Sequence, residues 1–145
     1  MIIPAVLPTT IHDVERRVSL VKDYVERFHL DVAGGMFAPV ETWPVINRNG
    51  FQDIVNGDRR LPHNYDVKYE VHLMVQDPEE YIDEWVAAGV FSIIAHSSML
   101  EAPHLVHNKL QAAGIEFGIA VTPTEYQIID DSLFELADFV LVMGS

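Results

Sequence analysis

Asp77-Pro78-Glu79-Glu80-Tyr81-Ile82-Asp83-Glu84-Trp85-Val86-Ala87-Ala88-Gly89-Val90-Phe91-Ser92-Ile93-Ile94-Ala95-His96 is the stretch that decides the fold. Asp77-Pro78 followed by two acids reads as a helix start. An Asp side chain can accept the first free N–H groups, proline suits the first turn, and carboxylates favour the positive end of the helix dipole. Tyr81, Ile82, Trp85 and Val86 share one face, and Ala87-Ala88-Gly89 closes the helix with glycine at its cap. Phe91 to Ala95 is a short, mostly apolar run, as expected of a strand covered by helices, and it ends at His96. The closing motif recurs as Ala112-Ala113-Gly114-Ile115, again ahead of a strand pattern at Glu116 to Val121. Helix, glycine and apolar strand in repetition is the signature of a parallel α/β architecture.

Working outward, the pattern continues in both directions. Residues 2–7 read as a buried strand bounded by Pro8. Thr10 with Asp13 resembles a capping box, and Ile11, Val14, Val18, Val21, Val25 and Phe28 alternate in steps of three and four, which predicts one long helix running to Phe28. His29-Leu30-Asp31-Val32 reads as a strand ended by Gly34-Gly35. Lys68 to Met74 alternates Tyr69, Val71 and Leu73 with Glu70, His72 and Met74 and reads as another strand. Ala102 to Ala113 is predicted helical, as is Thr124 to about Ala137, and Phe139 to Met143 is a last strand before Ser145. Residues 40–66, with Pro44, Asn49-Gly50, Gly57 and Pro62, read as a surface insertion around a short helix at Phe51, Ile54 and Val55. These signals predict a single domain over 1–145, an incomplete (β/α)8-type barrel with about six parallel strands. Closure of such a barrel takes eight.

Composition narrows the function. The 145 residues are 49% hydrophobic, so a packed core is expected rather than disorder. A formal net charge of −13 disfavours nucleic acid and anionic membranes as partners, and no basic patch interrupts it. No apolar run is long enough to span a membrane, and the first residues lack the basic start of a secretory signal, so a cytoplasmic location is expected. Cysteine is absent, which leaves His, Asp and Glu as metal ligands.

Those ligands occur in a telling pattern. His29 and Asp31, two apart on one strand, point to the same face, and His72 and Met74 do so on the next. All four fall near the C-terminal ends of their strands, where barrels of this type carry their sites. Two imidazoles and a carboxylate suit one divalent ion per chain, with zinc, iron, manganese and cobalt all compatible. His96 is expected to support this set or play a structural part, and His12, His63, His104 and His107 are given no role.

The ordered motifs carry a resemblance. Residues 1–7, His29-Leu30-Asp31-Val32-Ala33-Gly34-Gly35-Met36-Phe37-Ala38-Pro39, Glu70-Val71-His72-Leu73-Met74-Val75, Pro78-Glu79-Glu80-Tyr81-Ile82, Val121-Thr122-Pro123 and Leu141-Val142-Met143 resemble the ribulose-phosphate 3-epimerases across nearly the whole chain. The resemblance implies a TIM barrel that interconverts D-ribulose 5-phosphate and D-xylulose 5-phosphate, with a divalent metal on two histidines and two aspartates. His29, Asp31 and His72 match three of the ligands. Asp31 also matches one of two carboxylates that exchange the proton, and Met74 and Met143 match methionines lining the reacting carbons. The sequence departs from that pattern at Pro8, Ala33 and Gly34, which stand where the family has a serine, a methionine and an acid. The second acid–base aspartate and the phosphate loops belong to later strands of the family and are expected to lie beyond this chain. The isolated chain is therefore expected to be weakly active or inactive, and its open sheet edges to favour a homo-oligomer or a complementing segment. Two other readings compete with the epimerase. One is a non-catalytic scaffold or interaction protein that retains the metal cluster. The other is a different phosphate-binding barrel enzyme, such as a hexulose-phosphate synthase or orotidine-phosphate decarboxylase.

Overall fold

The computed structural model describes residues 1–35 and 37–144; Met36, within the motif quoted above, and Ser145 lie outside the described residues. Six strands, β1 (Ala5–Val6), β2 (Arg27–Ala33), β3 (Lys68–Met74), β4 (Ser92–His96), β5 (Glu116–Val121) and β6 (Phe139–Val142), pair in sequence order into one sheet. Every pairing is parallel, and the sheet curls into a half-barrel, an incomplete TIM-type α/β barrel. Helices α1 (Ile11–Val21), α2 (Phe51–Val55), α3 (Glu79–Ala87), α4 (Pro103–Ala113) and α5 (Pro123–Tyr126) fall between the strands. None of the described helices is long and apolar enough to cross a membrane.

The core lies between sheet and helices. Leu30, Val32, Val71, Leu73, Ile93, Ala95, Phe117 and Ile119 present one face of the strands to Val14, Val18, Ile82, Trp85, Val106 and Leu110. Strand side chains alternate, so the intervening residues His29, Asp31, Glu70, His72 and His96 occupy the inner face of the curl. The half-barrel thus keeps apolar residues toward its helices and a file of polar ones on its concave side.

Five element boundaries differ from the sequence expectation. α1 stops at Val21, with Lys22 as its C-cap, instead of running to Phe28. Phe28 is three residues beyond Val25 and mimics a helical step, but it belongs to β2 and pairs in register with Tyr69. Pairing along the whole of β3 draws β2 back to Arg27, and tertiary pairing overrides the local pattern. β1 is only two residues long. Pro4 and Pro8 carry no N–H to donate to a ladder, although their carbonyls accept from His29 and Trp43, at 2.8 Å each. The stretch after β5 is not one helix. α5 ends at Tyr126, and the Asp130 side chain accepts from the Ser132 N–H to start a separate 3-10 turn, Asp131–Leu136. Finally, Asp77 meets α3 through its backbone carbonyl, which accepts from Glu80 at 3.1 Å, and its side chain makes no cap bond there.

The insertion between β2 and β3 is better anchored than a surface loop. Trp43, Phe51 and Leu61 are buried, and Trp43 sits edge-on to both Phe51 (5.4 Å) and Trp85 of α3 (6.3 Å). Beside it, the Thr42 hydroxyl donates to the Asp31 carbonyl (2.8 Å) and accepts from the Ala33 N–H (2.9 Å). The segment is a strap that fixes the end of β2. Removing the Trp43 indole leaves an aromatic-sized hole in a close-packed cluster, so Trp43→Ala is expected to cost about 3–5 kcal/mol in urea unfolding. A cost under about 1 kcal/mol, typical of a surface change, would show that the strap is not part of the core.

Candidate metal centre

β2 and β3 pair with Asp31 directly opposite His72 and His29 opposite Glu70. That register brings four polar side chains together on the inner face. The His29, Asp31 and His72 ligand atoms lie within 4.8 Å of one another. Asp31 Oδ1 is 3.0 Å from His29 Nε2 and 3.0 Å from His72 Nδ1. The far nitrogen of His29 faces Glu70 Oε1 at 2.5 Å. The far nitrogen of His72 faces His96 Nε2 at 2.9 Å, and the two rings meet edge to edge, 23° from coplanar, with centroids 5.0 Å apart. His96 Nδ1 in turn lies 3.3 Å from Glu125 Oε2. The result is a continuous chain, Glu70–His29–Asp31–His72–His96–Glu125, reaching across β2, β3, β4 and α5.

Burial and charge act in opposition here. Burial works against a charged His29, but the carboxylates of Asp31 and Glu70 outweigh it and raise its pKa to about 9. Burial would likewise raise Asp31, yet the hydrogen bonds from His29 and His72 bring it down to about 2. His96 is pushed below its ordinary value by burial and by the neighbouring His72, against the pull of Glu125. Glu125 is held low despite burial, because Ser98, Thr122 and His96 all point donors at it.

Counting hydrogens tests whether this donor set fits a metal. The chain has five contacts between polar atoms, and each needs one hydrogen between its partners. Three neutral imidazoles carry one N–H each, which leaves the chain two positive charges short. The deficit falls at Asp31 Oδ1, where two contacts converge. A divalent cation held by His29 Nε2, Asp31 and His72 Nδ1 takes the place of those two hydrogens. It leaves three N–H groups for the three remaining contacts: His29 to Glu70, His72 to His96, and His96 to Glu125. A carboxylate behind a ligating histidine is the usual outer partner in metal sites. The residues fit a divalent metal in ligand type, spacing and charge.

The structure brings together the three ligand residues named from the sequence. Met74 sits at the end of β3 opposite Ala33, and Met143 follows β6, where its N–H donates to the Val121 carbonyl at 2.9 Å. Both are half-buried at the C-terminal ends of their strands. His96 makes direct contact with His72. His12 is exposed on α1, and His107 on α4 lies 2.9 Å from the Leu136 carbonyl, both away from the cluster. Sequence reasoning missed Glu70 and Glu125. Glu70 was open to discovery, two residues before His72 on an alternating strand. For Glu125 the only local signal is the Thr122-x-x-Glu125 spacing, which forms a reciprocal capping box in the structure.

A model of the ribulose-phosphate 3 epimerase family matches residues 1–145. Relatives include the ribulose-phosphate 3-epimerases of Rhodobacter capsulatus (29% identical, covering 98% of this chain and 58% of the relative), Bacillus subtilis (28%, 96% and 57%) and Aquifex aeolicus (28%, 90% and 54%). The chain spans little more than half the length of these curated relatives.

The His29 shift sets a pH dependence. Its folded pKa of about 9 lies above the unfolded 6.5. The stabilisation from the charged ring is therefore full below pH 6.5 and is lost as pH rises through 9. The metal-stripped chain should lose melting temperature across that window. Divalent affinity should move the other way and tighten as pH rises toward 9, because metal must displace the His29 proton. Scanning calorimetry after chelation and competition against a chelating dye check the two halves. A metal affinity flat from pH 6.5 to 9 would contradict the assignment of His29 as a ligand.

Proposed function

We propose that this chain, which belongs to the ribulose-phosphate 3-epimerase family, carries the metal-binding and proton-abstracting half of an epimerase site for D-ribulose 5-phosphate and D-xylulose 5-phosphate. The observation that carries the reading is the convergence of His29 and His72 on one oxygen of Asp31, on the inner face of a parallel sheet. His29, Asp31 and His72 would hold the ion, and zinc, iron, manganese and cobalt all match the ligand types. A bound divalent ion supplies Lewis-acid stabilisation of the charge that develops on the substrate oxygens when a proton leaves the carbon beside the carbonyl. Asp31 would accept that proton as an ionised carboxylate on the inner face, held between His29 and His72. Met74 and Met143 line the reacting carbons with apolar surface and keep water from the carbanion.

Inversion needs a second acid–base group on the opposite face of the substrate, and the reading assigns this chain only one. Proton removal by itself requires only Asp31. In deuterium oxide the chain loaded with metal should therefore wash deuterium into the carbon beside the carbonyl of ribulose 5-phosphate with little net xylulose 5-phosphate. Asp31→Asn should slow that exchange by about 10²–10⁴-fold. Elemental analysis after dialysis gives the companion result: about one divalent ion per wild-type chain and loss of metal in His72→Ala. No metal in the wild type would sink the enzyme reading and favour a non-catalytic scaffold.

The sheet edges support an assembly. Among the described residues β1 and β6 each pair on one side only, and Val142 of β6 is 76% exposed. Unpaired edges recruit other strands, so we read them as the docking edges for a second copy or for a complementing segment. Light scattering should find more than one chain per particle, and a stable, monodisperse monomer would overturn this part of the reading.

A further inference from the structure

The metal reading leaves one half of the polar chain without a stated purpose. Beyond His72 it continues through His96 to Glu125, a residue on a different element, and there the direction of every hydrogen bond can be worked out. Glu125 Oε2 receives the Thr122 N–H at 2.6 Å, and Oε1 receives the Ser98 hydroxyl. Backbone N–H groups only donate, so Glu125 Oε2 is an acceptor. His96 Nδ1, at 3.3 Å, must then be the donor. A neutral imidazole has one N–H, which makes His96 Nε2 an acceptor. The nitrogen facing it at 2.9 Å, His72 Nε2, must carry its hydrogen there. In the neutral ring this leaves the lone pair of His72 on Nδ1, aimed at Asp31 and the space where the ligand atoms converge.

We infer that Glu125 is a positioning residue for the metal centre, acting through His96 to hold His72 in the tautomer whose Nδ1 faces the cation. The inference rests on the metal reading above and adds to it a residue that touches neither ligand nor ion. The anchor is rigid for local reasons. Glu125 is 8% exposed, its own N–H closes the capping box on Thr122 Oγ1 at 3.1 Å, and Ser98 holds it from the turn after β4. His96 is 1% exposed and gripped between the His72 ring and Phe37, whose centroid lies 4.7 Å away. Both rings are buried, and the fixed Glu125 acceptor sets the direction of the chain. Glu70 does the corresponding work for His29 in a single step, while His72 on β3 needs a relay because its outer nitrogen faces another histidine.

Two readouts test the inference. Histidine labelled with ¹⁵N reports the tautomer directly through long-range proton–nitrogen couplings. In the wild type His96 should carry its hydrogen on Nδ1, and with zinc bound His72 should carry its hydrogen on Nε2. The second readout is cobalt affinity, followed by visible absorption. Glu125→Ala should bind cobalt ~10–100-fold more weakly, the usual cost of losing an outer partner of a ligating histidine. Glu125→Gln keeps a carbonyl oxygen for Thr122 and His96, and the Ser98 hydroxyl can turn to accept from its amide, so it should restore most of the affinity. A purely packing role for Glu125 would lower melting temperature without this split. Should Glu125→Ala fail to fold by circular dichroism, His96→Phe keeps a flat buried ring without the acceptor and should show the same loss. Equal cobalt affinity in wild type and Glu125→Ala, or His96 protonated on Nε2 with metal bound, would overturn the inference. Failure of the underlying metal reading is seen separately, as a wild-type chain that takes up no cobalt.

Discussion

One oxygen of Asp31, shared between His29 and His72 at 3.0 Å each, is the contact on which the inner face depends. It exists because β2 and β3 pair with Asp31 opposite His72. Side chains alternate along a strand, so a slip of one residue would bury both histidines among Val14, Val18 and Trp85 and turn Leu30 and Val71 toward the polar side. The apolar face resists that slip, since Leu30, Val32, Val71 and Leu73 are wholly buried against the helices. The register that makes the site is therefore enforced from the opposite face of the same strands. Thr42 adds a local lock, bridging the Asp31 carbonyl and the Ala33 N–H at the point where β2 gives way to a loop.

A file of buried ionisable groups is costly to fold around, because each loses water and must recover its interactions from neighbours. Here both ends of the file are carboxylates, Glu70 and Glu125, and each imidazole between them meets polar partners at both ring nitrogens. Ends that can only accept turn the hydrogen bonds outward, from His29 to Glu70 and from His72 through His96 to Glu125, and the shortage of hydrogens collects at Asp31. The helix-facing core supplies the stabilisation against which this arrangement is held. Trp43 and Phe51 of the strap meet Trp85 of α3 in one aromatic cluster of that core.

Much of this was legible in the sequence, and the exceptions have physical causes. The ends of β3 are legible because Tyr69, Val71 and Leu73 alternate with Glu70 and His72, and the end of α4 is legible because a glycine stands at its cap, where Gly114 takes a positive φ of 71°. The His29, Asp31 and His72 set was legible because strand alternation alone puts them on one face. α1 was read too long, since Val25 and Phe28 continue a helical spacing by coincidence and only pairing with Tyr69 assigns Phe28 to a strand. The break after α5 was hidden because it depends on the Asp130 side chain capping Ser132, a local choice that a periodic pattern does not register. Glu125 was beyond reach for a different reason: its partners Ser98 and His96 are 27 and 29 residues away, brought near only by the β4–β5 crossover.

His29, Asp31 and His72 lie on two adjacent strands whose contact with each other is complete within residues 27–74, so the ligand geometry needs only one strand pair and its strap. The outer support for His29 lies within that unit, at Glu70, but the outer support for His72 comes from β4 and α5, two crossovers later. The two histidines thus draw their orientation from parts of the chain that fold through different contacts. A change confined to α5 can leave the ligand triad in place and still release the ring of His72. Placement of the three candidate ligands and orientation of the His72 ring are separate properties of this half-barrel, and the second draws on the polar chain through β4 and α5.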